Sequence, residues 1–157
     1  MNIYVAASFC YEDRAKTSQR KYLIEKTVTR IKRYLKGNYY IPHQLKIPNA
    51  WDISLEEWSR KVYEEDMKNL WNADLVIFLS FGKENNAGAV WEVGFVCGRR
   101  VMQIPNYDQD LVVVKMTDEA ESLMISNYCD KIISKNEIDN YDWENRPAYR
   151  TKLTKIS

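Results

Sequence analysis

The sequence predicts one α/β domain spanning residues 1–157, a three-layer α/β/α sandwich on a parallel sheet. Two observations carry this. Short apolar runs alternate along the chain with longer segments of helical periodicity, and no repeat, low-complexity tract or linker interrupts them. Strands that alternate with helices pair in parallel through right-handed crossovers.

Asn2 to Ala7 is a nearly continuous apolar run, as expected of a strand covered on both faces. A helix follows from about Thr17 to Lys36, with Ile24, Val28, Ile31 and Leu35 forming one buried stripe, and Gly37-Asn38 stops it. Tyr39 to Pro42 is a second short strand, and the polar stretch to Asp52 is loop. Ser54-Leu55-Glu56-Glu57 resembles a capping box that starts a helix reaching Asn72. Leu75 to Ser80 is a third strand, Phe81 to Ala87 a polar loop, and Ala89 to Cys97 an apolar helix ended by Gly98. Val101 to Ile104 supplies a fourth strand. Beyond Pro105 come a strand at Leu111 to Met116, a short helix at Glu119 to Ser126 and a final strand at Lys131 to Ser134. The whole is a Rossmann- or flavodoxin-like sheet of about five strands. Its switch-point crevice would collect Ala7 to Cys10, Pro42 to Gln44 and Ser80 to Gly88.

Charged residues make up 29% of the chain and nearly cancel, leaving a formal charge of +1. Bulk electrostatics therefore imply no nucleic-acid partner. The opening MNIYVAASF runs directly into a strand pattern without the marks of a signal peptide, and no segment reaches the length of a membrane span. Cys10, Cys97 and Cys129 lack C-x-x-C spacing and fit reduced thiols of a cytoplasmic protein. His43 is the only histidine, so a multi-histidine metal site has no candidates, and neither metal nor cofactor is expected. Any catalysis falls to carboxylates.

Two carboxylates stand in apolar surroundings. Glu92 is the only charge in Ala89–Cys97, a helix expected to be buried around most of its circumference. Burying a carboxylate costs several kcal/mol unless partners offset it. Placed in the first turn after a glycine-bearing loop, it would gain from free N–H groups and the helix dipole. The competing reading is a glutamate that reaches solvent along one narrow face. Asp66 falls on the apolar stripe between Val62 and Leu70, while Glu64 and Glu65 face water. It is equally well a helix-edge aspartate paired with a lysine. Together the two suit a division in which one attacks carbon and the other manages a proton. Tyr4, Trp91 and Phe95 read as packing residues, and His43 reads equally as a loop residue or a ligand contact.

Asn86-Ala87-Gly88-Ala89-Val90-Trp91-Glu92-Val93-Gly94 resembles the D-x-G-T-x-W-E-x-G signature of nucleoside 2-deoxyribosyltransferases. The opening I-Y-V-A-A-S-F, Glu65-Asp66 through Ala73-Asp74, Glu121-Ser122-Leu123-Met124-Ile125 and Asn140 to Trp143 are similar to family segments in the same order. The resemblance implies that Glu92 is the nucleophile holding the sugar as a covalent ester and that Tyr4 orients it. It implies that Asp66 binds a sugar hydroxyl or helps protonate the departing base. Phe9 would stack near the base, Gln44 would contact base or sugar, and Asn86 and Gly88 would lie in the substrate loop. Met124 and its neighbours would project into an adjacent subunit's site, giving a homo-oligomer. Three departures stand out: Asn86 and Ala89 replace aspartate and threonine, Ser8 and Ser122 resemble the nucleoside 5′-monophosphate N-glycosidase branch, and the terminal Lys-Ile-Ser differs from a terminal tyrosine. The leading expectation is sugar transfer between nucleobases in nucleotide salvage. The alternatives are hydrolysis of a nucleoside monophosphate at the same site and a non-catalytic nucleotide sensor.

Overall fold

Five apolar segments pair into one parallel sheet in the order β2-β1-β3-β4-β5. The computed structural model describes residues 1–9, 12–102 and 109–145. The strands are β1 (Asn2–Ala7), β2 (Asn38–Tyr40), β3 (Leu75–Ser80), β4 (Asp110–Lys115) and β5 (Lys131–Ser134). The central strand β3 is buried along its entire length, as parallel pairing with both faces covered requires. The edge strands β2 and β5 are the shortest, which limits the exposed backbone available to stray partners.

Alternation along the strands divides the apolar side chains between two cores. Ile3, Val5, Ile77 and Val112 face α1 (Arg14–Ile31). Tyr4, Ala6, Phe78 and Val113 face α2 (Leu55–Trp71), α3 (Ala87–Val101) and α4 (Leu123–Tyr128). The first crossover moves outward from β1 to β2 and the later ones move the other way. Right-handed connections therefore put α1 alone on its face and leave the switch point between β1 and β3. Trp143 closes the α1 side, its indole N–H donating to the Ile138 carbonyl at 3.0 Å.

Most elements match the sequence reading, and the differences have local causes. α1 begins three residues earlier than its apolar stripe suggests, because Asp13 caps it by accepting from the N–H groups of Ala15 (2.7 Å) and Lys16 (3.2 Å). It stops at Ile31 and gives way to a turn that still buries Leu35. Gly37 is needed for close approach, since a Cβ there would lie 2.7 Å from Ile3 Cδ1 and 2.8 Å from the Met1 carbonyl oxygen. At the start of α2, Ser54 Oγ accepts from the Glu57 N–H at 3.1 Å, while the Glu57 carboxylate turns to Lys61.

The largest correction concerns α3, which runs through Gly94 and Gly98 to Val101. A glycine costs a helix about 1 kcal/mol, less than Val93, Val96, Arg99 and Arg100 gain by packing below it. The expected strand at Val101 to Ile104 is therefore replaced at its start: Val101 is helical and Met102 is the C-cap, both solvent-exposed. Gln103 and Ile104 lie outside the described residues. Likewise α4 starts at Leu123 rather than Glu119, whose carboxylate instead accepts from the Lys83 N–H at 2.7 Å.

At the N-terminal edge of the sheet, buried Arg100 pairs with Asp130 at 2.6 Å, and the same Asp130 oxygen accepts from the Leu111 N–H at 2.6 Å. Removing one member of such a pair strands a buried charge. Asp130→Ala is expected to lower the unfolding free energy by about 3–5 kcal/mol in urea titrations; a loss below about 1 kcal/mol would show the pair to be dispensable.

Candidate active site

Parallel pairing of β1 with β2 sets Tyr4 beside Tyr40 on the same face of the sheet. Their rings stack, with centroids 5.5 Å apart and planes inclined by 27°. Each phenol meets a carboxylate from a different helix. Tyr4 Oη donates to Glu92 Oε1 of α3 at 2.9 Å, and Tyr40 Oη donates to Asp66 Oδ1 of α2 at 2.6 Å. Sequence reasoning found three of these four groups and passed over Tyr40. The available signal was its register opposite Tyr4.

The carboxylates open on a pocket of about 330 Å³ between α2 and α3, floored by Tyr4 and bordered by Gly88. Trp58, Tyr63, Met67 and Trp91 wall it, giving flat apolar surfaces around two acidic groups. Trp91 is half exposed and stacks on Phe95 (5.8 Å), so it forms a rim rather than core packing. The helix is correspondingly less enclosed than its composition suggested, with Val90, Trp91 and Gly94 exposed on its outer side. Glu92 is also not in the first turn. The helix begins at Ala87, so its terminal N–H groups lie a full turn away, and Asn86 serves them by accepting from the Ala89 N–H at 3.0 Å.

The remaining candidates fall into three places. Ser8 is fully buried and its hydroxyl accepts from the Asn86 N–H at 2.6 Å, tying the end of β1 to the loop before α3. Phe9 packs on the α1 side near His43, and Gln44 donates to Glu25 of α1 at 3.4 Å; neither lines the Glu92 pocket. Ser122 and Met124 line an apolar groove of about 1080 Å³ between α3 and α4, on the other flank of α3 from the carboxylates. Cys10 and the terminal Lys-Ile-Ser lie outside the described residues. Among the described residues no group of three or more His, Cys, Asp and Glu side chains is arranged to hold a metal.

Burial dominates the electrostatics. It pushes the Glu92 carboxyl up to about 8, against the Tyr4 hydroxyl, which favours the ionised form, and with help from the nearby Asp66 charge. Asp66 is also raised by burial, but Tyr40 pulls it back and Glu65 adds repulsion. Tyr4 is held neutral by burial and by the two carboxylates, so it stays a donor. The site thus places two acids around one cavity, both held above their ordinary range by burial.

Fold and site together define a doubly wound α/β protein with a tyrosine-braced pair of carboxylates above its first strand. The chain belongs to the nucleoside 2-deoxyribosyltransferase family, whose model matches residues 3–127. Among solved structures it is similar to the 2-deoxyribosyltransferase of the psychrotolerant bacterium Bacillus psychrosaccharolyticus, with a TM-score of 0.70 and 21% identity over 93% of this chain and 96% of the other. It is also similar to a conserved protein from Enterococcus faecalis V583, with a TM-score of 0.57 and 16% identity over 88% and 96% of the two chains. These likenesses show a shared fold. No curated protein matches in sequence. Among the described residues no helix is long and apolar enough to cross a membrane.

The raised Glu92 carboxyl has a consequence for stability. In the unfolded chain this group ionises near 4.5, in the folded protein near 8, so between these values the native state holds a proton the unfolded state has lost. Its contribution is therefore fully present below 4.5 and is lost as pH rises through 8. Glu92→Gln is expected to be stabilised relative to the parent by roughly 2 kcal/mol or more at pH 9 compared with pH 4. Denaturant midpoints at the two pH values test this, and an unchanged difference would place Glu92 in water.

Proposed function

We propose that the protein transfers 2-deoxyribose between nucleobases through a sugar ester on Glu92. The observation that carries this reading is the 2.9 Å hydrogen bond from Tyr4 to Glu92 inside a pocket shared with Asp66. A glycosyl centre needs a carboxylate whose lone pair is aimed and desolvated but still able to ionise. Tyr4 occupies one oxygen of Glu92 and leaves the other for the anomeric carbon. As the C1′–O bond to Glu92 forms, the C1′–N bond breaks and its electron pair departs with the base, which takes up a proton. The proton Glu92 gives up before attack balances the one the base acquires. A second base then enters and attacks C1′ from the side opposite Glu92; as the C1′–O bond breaks, the N–H proton this base gives up restores the one Glu92 had lost. Asp66 accepts a hydroxyl of the sugar through its second oxygen and fixes the ring over Glu92.

Transfer is favoured over hydrolysis by the walls of the pocket. Trp58, Tyr63 and Trp91 offer flat apolar faces suited to a base, and a base seated there keeps water from the ester. Ser8, whose hydroxyl is engaged with the Asn86 N–H, serves the loop more directly than it would serve a phosphate. The exposed Val90, Val101, Met102, Leu123 and Met124 around the α3–α4 groove suit burial against another subunit, consistent with a homo-oligomer in which Met124 and Ser122 serve a neighbour.

The protein incubated with a deoxynucleoside and a second base is expected to yield a new nucleoside by chromatography, and Glu92→Ala to abolish it. Tyr4→Phe, which removes a donor to the ionised acid, is expected to lower kcat/KM about 10- to 100-fold and to shift its rise with pH further above 8. Release of free sugar alone, at equal rates with and without the second base, would convert the assignment to hydrolysis.

A further inference from the structure

The four-group cluster has two halves of matching design, and the function above uses only one of its tyrosines. Tyr4 and Tyr40 come from adjacent strands at paired positions, stack on each other, and donate to carboxylates that descend from two different helices. The Tyr40–Asp66 contact, at 2.6 Å, is the shorter of the two. It joins residues 26 apart in sequence and reaches from the sheet edge to the middle of α2, so neither helix capping nor strand pairing demands it. A tyrosine at the half-buried edge could have kept its hydroxyl in water. Pointed inward, it occupies Oδ1 of Asp66, whose side chain lines the pocket.

We propose that Tyr40 is a positioning residue for the sugar site: held by its stack on Tyr4, its hydroxyl fixes the rotamer of Asp66 and so places the carboxylate that is to meet a sugar hydroxyl. Four titratable groups meet Asp66, one from each element around it: Tyr40 from β2, Tyr4 from β1, Glu92 from α3 and Glu65 from its own helix. Of these, Tyr40 is the one that lowers the cost of charge on Asp66. A negative Asp66 in turn opposes a negative Glu92. With Oδ1 engaged, a sugar hydroxyl meets the other oxygen of Asp66 already in place beside Glu92, without a search among rotamers. This inference rests on the assignment of Glu92 as nucleophile, but its physical core can be read without turnover.

The test is a carboxyl 13C NMR titration of the substrate-free protein, comparing the parent with Tyr40→Phe, which keeps the stacked ring and deletes only the hydroxyl. The expected result is that the Asp66 midpoint rises by about one pH unit. In the sugar-exchange assay Tyr40→Phe should raise KM for the deoxynucleoside about tenfold and, in an Asp66→Asn background, raise it no further. An unmoved Asp66 midpoint would overturn the proposal, and so would a Tyr40→Phe protein that fails to fold. The sugar-exchange assay run on the same proteins separates the two claims. If the parent transfers no sugar but the Asp66 midpoint rises as described, the positioning role stands and the reaction assignment falls; if the parent transfers sugar and the Asp66 midpoint stays fixed, the reverse holds.

Discussion

The site depends on one constraint, that two carboxylates share a pocket too dry to hold both charges comfortably. Two like charges a few ångströms apart in a poorly solvated space repel by several kcal/mol. The structure answers with two hydroxyl donors planted on a rigid sheet and stacked side by side. Helices α2 and α3 are oriented so that Asp66 and Glu92 reach those donors. Aromatic residues then close the space above them. Placing the donors on strands and the acids on helices means that the packing of the layers also sets the geometry of the chemistry.

The loop before α3 contributes by being immobilised from several directions. Ser8 holds the Asn86 N–H, Asn85 bridges Ser80 and the Phe81 N–H, and Glu84 is clamped by Lys16 and by Arg20, whose guanidinium lies 3.6 Å over the Phe81 ring. Gly82 supplies the left-handed backbone, with φ of 62°, that lets this loop turn beside Glu119. The start of α3, and with it the direction of Glu92, is thereby fixed against both sides of the sheet. Asn86 remains a helix cap even though it carries no charge, since a side-chain amide oxygen accepts from the Ala89 N–H as a carboxylate would.

Much of this was legible in the residues. β1, β3 and β4 follow from nearly continuous apolar runs, and the inward carboxylates at 66 and 92 follow from charge standing on an apolar stripe. What escaped had tertiary causes. The length of α3 was hidden because a glycine reads as a stop when its neighbours in space are unknown, whereas Gly98 lies in a helix held by Val96, Arg99 and Arg100. Tyr40 was hidden because its value comes from register with Tyr4, a property of two strands and not of one. The family resemblance gives Phe9 and Gln44 to the substrate, yet the segments that follow β1 and β2 turn both toward α1. The exposed side of α3 reads as core because its side chains are apolar, which reports what a surface avoids and not whether the same chain covers it.

The central claim is that Glu92 becomes covalently bonded to a sugar. Mixing the protein with a deoxynucleoside in the absence of any acceptor base, quenching in acid and sequencing the peptides by mass spectrometry tests it directly. The account predicts a deoxyribosyl mass on the peptide of Ala87–Val101, fragmenting at Glu92 and disappearing when a second base is added before the quench. A protein that cleaves the nucleoside while that peptide never carries the sugar would contradict it.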